Sequence, residues 1–321
     1  MQHPAWAPLT AFAAALVVVW WLARSRLALD EPNARSLHQR PVPRTGGIGI
    51  HLGAVLGWLV AVPDVPWVVW PPYAAVLAIS LFDDLHGVPV VVRLVVHLLA
   101  GGLMAAVLIF EPAGVAWLLL IAVAVAWMAN LYNFMDGSDG LAGGMAVFGF
   151  ATYGAASWFG GGASFALANF SVAAAATAFL AFNFHPARIF MGDVGSVPLG
   201  FLAGAFGIAG WLQHDWPWWF PALVFSPFIV DATVTLARRL LRGERTWTAH
   251  RDHYYQRLVQ LGWGHRGTAL AEYALMLGCG TLALLGLHLT TIGQAIVLTC
   301  VAGIYLVLIV AIERAWARRG R

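Results

Sequence analysis

Long apolar runs, each bounded by a few polar residues, repeat along the whole chain. The runs are roughly 17 to 25 residues long, the length of a helix that crosses a bilayer core of about 30 Å. The pattern therefore predicts an all-α, polytopic integral membrane protein with about eleven transmembrane helices. The predicted helices cover residues 5–22, 46–62, 65–82, 94–110, 113–131, 140–158, 163–182, 196–212, 218–236, 267–287 and 291–312.

The polar breaks fall into two sets with very different charge. One set comprises the loops at residues 23–45, 83–93, 132–139, 183–195 and 237–266. Together with the C-terminal tail, these loops contain all 18 basic residues. Basic loops stay on the cytoplasmic side of a membrane, so we predict this set to be cytoplasmic, with the N-terminus outside and the C-terminus inside. Arg24 and Arg26 follow the first run, the reverse of a secretory signal, so that run is expected to remain as a helix.

The composition excludes several classes of protein. The chain is 60% hydrophobic and 10% charged, whereas soluble domains have about 25% charged residues. A formal net charge of +3 gives no reason to expect a nucleic-acid partner. Every basic residue is arginine, which rules out a Walker A loop and a Schiff-base lysine. Cys279 and Cys300 lie in apolar runs and suggest no disulfide framework. We expect a single transmembrane domain, residues 1–321, with its chemistry in the cytoplasmic loops.

Carboxylates recur at the predicted cytoplasmic helix ends, although charge at a membrane boundary is costly. They are Asp83, Asp84, Asp136, Asp139 and Asp193. If their three loops converge, the like charges need a counter-charge, and the loops contain only Arg93 and Arg188 as basic residues. Hard divalent cations take carboxylate oxygens as ligands. The pattern therefore predicts a Mg²⁺ site.

Each of these loops also has a simpler structural interpretation. Asp83 and Asp84 fit a solvated helix end, and the polar segment 133–139 fits an Asx-turn loop between two helices. Ser196 fits an N-cap that begins the eighth helix. These interpretations are less satisfactory together, because all three loops are predicted on one face of the membrane.

The last cytoplasmic loop contains the segment HRDHYYQRL, which begins at His250. Arginine binds phosphate through paired hydrogen bonds, and histidine adds a hydrogen bond or a charge. His250, Arg251 and His253 are therefore candidates for binding a phosphate-rich substrate. The segment also fits an amphipathic helix at the membrane surface, and both interpretations can hold. Arg44, in the first cytoplasmic loop, is a further candidate, with topogenic charge as its simpler interpretation.

Polar residues inside the apolar runs are interpreted as structural. His51 and His97 are predicted to be packed, hydrogen-bonded helix residues. Asp231 is predicted to form an ion pair with Arg238 or Arg239 near the inner end of its helix.

In their order along the chain, these motifs resemble those of the polyprenyl-phosphate N-acetylhexosamine-1-phosphate transferases, glycosyltransferase family 4. The resemblance extends over residues 30–266. It rests on the basic loop with Pro43, Gly46 and Gly47, on Asp83 and Asp84, and on the segments NLYNFMDGSDGLAGG, FNFHPARIFMGDVGS and HRDHYYQRL. The NLYNFMDGSDGLAGG and FNFHPARIFMGDVGS segments are the most specific.

The resemblance implies a reaction. N-acetylhexosamine 1-phosphate would pass from a UDP-sugar to undecaprenyl phosphate, with release of UMP and with Mg²⁺ as cofactor. Asp193 would bind the metal, together with Asp83. Asp83 and Asp84 would orient or deprotonate the lipid phosphate. A phosphate monoester with a second pKa near 6 is mostly dianionic at neutral pH, so we favour positioning over proton abstraction.

The resemblance also assigns roles to other residues. Asn133 and Asp136 would face the diphosphate and the metal. The uridine would be held by Asp139, Asn183 and Phe190, with Phe190 stacked on uracil. His253 is the best match for the family's histidine in the last loop.

The chain departs from the peptidoglycan branch of this family. That branch has a lysine in the first cytoplasmic loop and three consecutive histidines in the last, and both are missing here. The sequence therefore favours the branch that initiates O-antigen and exopolysaccharide assembly in the bacterial inner membrane, with the active site on the cytoplasmic face. The expected partners are a UDP-N-acetyl sugar, undecaprenyl phosphate and membrane lipid. A homodimer is compatible with this assignment, and the donor sugar stays open.

Three other classes of protein fit the sequence less well. An ion-coupled transporter would place acids near the bilayer centre on broken, repeated helices, whereas here the acids lie at one face. A CDP-alcohol phosphotransferase would need a DGxxAR signature, which the segment after Asp136 lacks. A non-catalytic scaffold would leave the clustered polar residues without a common role. The transporter is the main alternative to the transferase.

Overall fold

The chain folds almost entirely into α-helices, as predicted. A computed structural model describes residues 6–25, 27–30, 41–61, 69–108, 114–244 and 250–319. The helices are α1 (Trp6–Leu22), α2 (Gly46–Ala61), α3 (Trp70–His86), α4 (Val90–Leu108), α5 (Val115–Phe134), α6 (Leu141–Phe159), α7 (Ala163–Asn183), α8 (Asp193–Leu212), α9 (Trp219–Val224), α10 (Ser226–Leu241), α11 (Tyr254–Leu258), α12 (Gly264–Gly286) and α13 (Thr291–Arg319). Residues 31–40 and 245–249 of the predicted cytoplasmic loops lie outside the described residues.

The described loops contain one small departure from an all-helical fold. Two residues of β1 (Leu29–Asp30) pair in antiparallel fashion with two residues of β2 (Val42–Pro43). This short ladder lies in the loop between α1 and α2, shortly before α2 begins.

Several helices are suited to a membrane. Five helical segments are long and apolar enough to cross one, namely Val115–Phe134, Ala163–Asn183, Asp193–Leu212, Tyr254–Gly286 and Thr291–Arg319. Shorter apolar helices include α1. The chain is therefore a helical protein with several membrane-capable segments, while the number of spans and the orientation of the termini stay predictions.

The ninth predicted helix is broken in two, which the sequence analysis did not anticipate. Pro227 lacks a backbone N–H and cannot donate to the carbonyl of Leu223 one turn earlier. The side-chain hydroxyl of Ser226 donates to that carbonyl instead, at 2.7 Å. One helix thus ends before Phe225 and the next begins after it, as α9 and α10.

Helix α8 is the most deeply buried of the five long segments, and its glycines let α5 pack closely against it. A Cβ at Gly200 would lie 2.7 Å from the Cα of Ala129, and a Cβ at Gly204 would lie 3.2 Å from the Cα of Val125. The two helices therefore run antiparallel, and the same register brings the end of α5 to the start of α8. Small residues at such contacts are what allow close packing of helices in membranes.

The two histidines inside apolar runs are hydrogen-bonded and buried, as predicted. His51 contacts the hydroxyl of Tyr73 at 2.7 Å and the carbonyl of Gly195 at 3.0 Å. His97 contacts the side-chain amide of Asn130 at 3.3 Å. His51 therefore ties α2 and α3 to the first turn of α8.

We predict that Gly200→Ala destabilises the protein by about 1–3 kcal/mol, because the added methyl group cannot be accommodated between α5 and α8 without a backbone shift. Thermal unfolding in detergent would measure the change. Gly278→Ala is the matched control, since a Cβ at Gly278 meets no neighbouring atom within 4 Å. Equal stability of the two variants would contradict the packing that we describe.

Candidate active site

The carboxylate of Asp84 joins the end of α3 to the beginning of α8. Its side chain is buried and accepts hydrogen bonds from the backbone N–H groups of Asp193, at 3.1 Å, and Val194, at 2.8 Å. The first N–H groups of a helix have no partner within the helix, and a negative charge is favourable there. Gly192, with φ of 74°, precedes this turn, and a Cβ at Gly192 would lie 2.8 Å from the Asp84 carboxylate. The glycine of the MGD segment is therefore needed for the close approach of Asp84.

Two further carboxylates, those of Asp83 and Asp193, share the guanidinium group of Arg93. One nitrogen of Arg93 contacts Asp193 Oδ2 at 2.9 Å and also contacts Asp83. Asp83 additionally accepts a hydrogen bond from the backbone N–H of Val88, at 2.6 Å. Arg93 is thus one of the counter-charges for this cluster, a role that sequence analysis did not assign to it.

Asn133, near the end of α5, completes the link to α8. Its side-chain amide donates to Asp193 Oδ1 at 2.8 Å and to the Ser196 hydroxyl at 3.0 Å. Asp136 follows in the α5–α6 loop and is half-buried. Burial, together with the nearby carboxylates of Asp193 and Asp84, raises the pKa of Asp136 well above its usual range. The negative charge of the cluster is therefore not fully compensated at Asp136.

The structure brings together five of the predicted site residues, from α3, α5, the α5–α6 loop and α8. They are Asp83, Asp84, Asn133, Asp136 and Asp193. Arg44 also lies here, because its guanidinium group donates to the backbone carbonyl of Asp84 and lies 3.8 Å from the Asp84 carboxylate.

Asp139 and Asn183 are both predicted to hold the uridine of the donor. In the structure they join the α5–α6 loop to the α7–α8 loop. Asn183 accepts a hydrogen bond from the backbone N–H of Gly140 at 3.0 Å and donates to the carbonyl of Ile189 at 2.9 Å. Asp139 Oδ2 contacts His185 Nδ1 at 2.7 Å and accepts from the backbone N–H of Ala187 at 3.1 Å. In this structure, both side chains therefore stabilise the loops themselves.

Phe190 is fixed through its backbone. Its N–H donates to the carbonyl of Pro43 at 2.7 Å, and its carbonyl accepts from the N–H of Gly46 at 2.9 Å. The half-buried ring thus lies where the α7–α8 loop meets the start of α2.

Two histidines that sequence analysis did not single out lie beside Asp139. The rings of His185 and His265 are parallel within 5°, with centroids 5.4 Å apart. His265 Nδ1 contacts the Ser138 hydroxyl at 2.9 Å. His185 lies within the FNFHPARIF segment, so the sequence motif could have identified it as a candidate residue. His265 lies at the start of α12, and no sequence motif indicates that it lies close to Asp139.

The last loop places His253 beside the end of α5. The His253 ring is buried and stacks against Phe134, with centroids 6.3 Å apart, and against His250, with centroids 4.9 Å apart. Burial, together with the neighbouring His253 and Arg239, lowers the pKa of His250 to about 4. His250 is therefore neutral at neutral pH. The backbone carbonyl of Arg251 accepts from the Gln260 side chain at 3.4 Å.

The predicted ion pair between Asp231 and the two arginines that follow it is wrong. Arg238 pairs with Glu313, and Arg239 pairs with Asp252 at 2.5 Å and Glu244 at 3.2 Å. Asp231 instead contacts His253 and the beginning of α11. Helical spacing alone could not reveal this, because the acids that bind the arginines come from other parts of the chain.

The donor chemistry of the cluster suits Mg²⁺. Among the described residues, no three His, Cys, Asp or Glu side chains are grouped so that they could hold a metal by themselves. Mg²⁺ is usually bound by only one or two carboxylates together with substrate phosphates. Asp193 and Asp136 provide such oxygens, and the neighbouring carboxylates that raise the pKa of Asp136 favour a cation at this position.

An apolar groove of about 250 Å³ lies between α5, α8 and α10. Trp127 and Met128 of α5 line it, with Ile208 of α8 and Ile229 of α10 on the other walls. Asn133 lies little more than one helical turn further along α5. The groove is apolar, and its wall on α8 begins at Ala203, ten residues after Asp193.

The sequence is similar to those of known proteins. Residues 67–211 match the family described as glycosyl transferase family 4, a range that contains α3, α5 and most of α8 with all five clustered residues. The undecaprenyl-phosphate alpha-N-acetylglucosaminyl 1-phosphate transferase of Yersinia pestis is 27% identical over 318 residues, covering 90% of this chain and 85% of the relative.

Two further relatives are similar to this chain over most of its length. The Escherichia coli (strain K12) protein of the same name is 27% identical over 74% of this chain and 71% of its own length. The decaprenyl-phosphate N-acetylglucosaminephosphotransferase of Mycolicibacterium smegmatis is 28% identical over 77% of this chain and 72% of its own length.

We predict that Asp84→Ala destabilises the protein by about 1–3 kcal/mol, because two N–H groups at the start of α8 lose their acceptor. Asp84→Asn retains one acceptor oxygen and should cost less. Thermal unfolding of both variants would measure the difference. Asp83→Asn serves as control, because Asp83 contacts no amide of α8. A smaller loss for Asp84→Ala than for Asp83→Asn would refute the role of Asp84 at this helix end.

Proposed function

Because the chain belongs to glycosyl transferase family 4, the polyprenyl-phosphate N-acetylhexosamine-1-phosphate transferases, we propose that it transfers N-acetylhexosamine 1-phosphate from a UDP-sugar to undecaprenyl phosphate. The observation that carries this proposal is the cluster of Asp83, Asp84, Asn133, Asp136 and Asp193 at one end of the helix bundle. UMP and the undecaprenyl-diphosphate sugar are the products.

The chemistry brings two anionic phosphates together, so positioning and charge compensation are the main requirements. Asp193 and Asp136 would hold Mg²⁺, which supplies positive charge to the donor diphosphate when it is bound. Asp83, the second metal ligand implied by the sequence, is bonded to Arg93 and Val88. We therefore give Asp83 the task of holding Arg93 for the acceptor phosphate. Nε of Arg93 is buried without a hydrogen-bond partner and is the donor available for this contact.

The polyprenyl chain of the acceptor would lie in the apolar groove between α5, α8 and α10. Its walls are almost entirely apolar, which suits an isoprenoid chain. A chain seated there would bring its phosphate to the end of α5, where Asn133 and Arg93 lie.

The donor would occupy the other side of the cluster. Asp139 and Asn183 brace the loops that carry Phe190, and Phe190 would stack on the uracil ring. His253, beside the end of α5, would contact a phosphoryl oxygen through Nε2. The neutral ring would accept a hydrogen bond there from a protonated oxygen, and the protonated ring would donate one to an anionic oxygen. Neutral His250 would pack against His253, and Arg251 would contribute charge for the phosphates.

The location of this site follows from the charge asymmetry of the loops. All basic residues lie on the side that contains the cluster, so the site would face the cytoplasm of a bacterial inner membrane. The missing lysine and histidine triplet favour an O-antigen or exopolysaccharide pathway over peptidoglycan. The family match gives no support to an ion-coupled transporter.

We predict UMP release from the purified protein with undecaprenyl phosphate, Mg²⁺ and at least one UDP-N-acetyl sugar from a panel of such donors. EDTA should stop the release, and added Mg²⁺ should restore it, because the carboxylate cluster requires a cation to receive a diphosphate. A coupled assay for UMP would measure the rates. Absence of release with every donor, from protein that elutes as a folded species, would count against the transferase.

We also predict that Asp193→Asn and Asp83→Asn each lower the rate by about 100-fold or more, because the first removes a proposed Mg²⁺ ligand and the second removes the carboxylate that holds Arg93. Membrane insertion should be retained in both variants. Asp215→Asn is the matched control. Asp215 accepts a hydrogen bond from the Ser157 hydroxyl at 2.6 Å and follows the C-terminal end of α8, whereas Asp193 is at its N-terminal end. Near-normal activity in either cluster variant would overturn the assignment of that residue.

A further inference from the structure

Asp231 is a buried carboxylate without a cationic arginine or lysine partner among the described residues. It lies on α10 and is 6% exposed. Its Oδ1 lies 3.1 Å from Nδ1 of His253 and accepts from the backbone N–H of Tyr254 at 2.9 Å. Its Oδ2 accepts from the N–H of Tyr255 at 2.9 Å. A buried charge is costly unless it is paired and hydrogen-bonded. These three contacts of Asp231 are with His253 and with the first two residues of α11.

The contact with Asp231 fixes which nitrogen of His253 carries hydrogen. An ionised carboxylate only accepts hydrogen bonds, so Nδ1 of His253 must carry the hydrogen. In the neutral ring, Nε2 is then the atom with the free electron pair. The backbone N–H of His253 also donates to the side-chain oxygen of Gln256 at 3.3 Å, which fixes the start of α11.

The ring itself is confined on several sides. His250 stacks on it at a centroid distance of 4.9 Å, Tyr255 at 5.9 Å and Phe134 at 6.3 Å. Phe134 directly follows Asn133, which bonds Asp193. Rotation of the ring is therefore limited by packing, and its hydrogen-bond direction is set by Asp231.

We propose that Asp231 is a positioning residue for the transfer reaction, which holds His253 in the Nδ1–H form so that Nε2 is presented to the reacting phosphates. This proposal rests on the transferase function. It goes further by assigning a role to a carboxylate that lies outside the cluster and on a different helix from it. It also explains why Asp231 does not pair with Arg238 or Arg239, although both are close in sequence.

A double-mutant cycle tests this proposal. Asp231→Asn should lower kcat by about 10–100-fold and change the KM for the donor by less than about threefold, because the carboxamide can no longer enforce the Nδ1–H form. In a His253→Ala background, the same substitution should lower kcat by less than about threefold, since its target is gone. Equal losses of kcat in both backgrounds would mean that Asp231 acts only by holding α11, and would overturn the proposal.

Thr235→Val is the matched control. The Thr235 hydroxyl also donates to Asp231 Oδ1, at 3.1 Å, but does not touch His253. This variant should keep kcat within about twofold of the wild type. A loss as large as that of Asp231→Asn would point to general destabilisation around Asp231 and contradict the proposal.

A spectroscopic measurement keeps the test independent of variant folding and of the transferase assay. In the wild-type protein labelled with ¹⁵N-histidine, the signal assigned to His253 by its loss in His253→Gln should show hydrogen on Nδ1. A ring without hydrogen on Nδ1 would overturn the positioning role. If this signal is as expected while no donor supports turnover, the proposed function fails and the Asp231 contact stands.

Discussion

The contact between Asp84 and the first turn of α8 holds together the end of the molecule that contains the carboxylate cluster. The two backbone N–H groups at this helix start have no acceptor within their own helix, and the buried carboxylate supplies one for each. The contact also determines where Asp193 lies, because Asp193 is the first residue of α8. Gly192 directly precedes Asp193, and its positive φ and its lack of a side chain allow Asp84 to approach the start of α8.

Charge balance follows from this arrangement. Asp84 binds the start of α8, and Asp83, the preceding residue of α3, binds Arg93, which also contacts Asp193. Arg44 compensates Asp84 from the other side. Asp136 then remains beside two carboxylates, which is why its pKa is raised. A site with this residual negative charge is suited to a substrate that arrives with a cation, as a nucleotide diphosphate does.

The last loop is anchored by a second buried carboxylate, Asp231, rather than by the cluster. Asp231 binds the start of α11 and His253, while Arg238 and Arg257 bind Glu313 near the end of α13. These contacts tie α10, α11 and α13 together on the side of the bundle where His253 meets Phe134. Asp231 lies on α10, which begins at Ser226 directly after the break at Phe225.

The sequence alone determined the helical fold, the approximate bounds of the helices and the set of candidate residues. It could do so because hydrophobic run length and short motifs are local properties of the chain. The tertiary structure decided which of these residues meet. The pairing of Asp84 with Asp193 joins residues 109 positions apart, and the contact of Asp231 with His253 joins residues on two separate helices. Both depend on helix packing, in which the glycines of α8 set the distance to α5, and no local pattern encodes that packing. For the same reason, the stacked His185 and His265 and the break at Phe225 became apparent only in three dimensions.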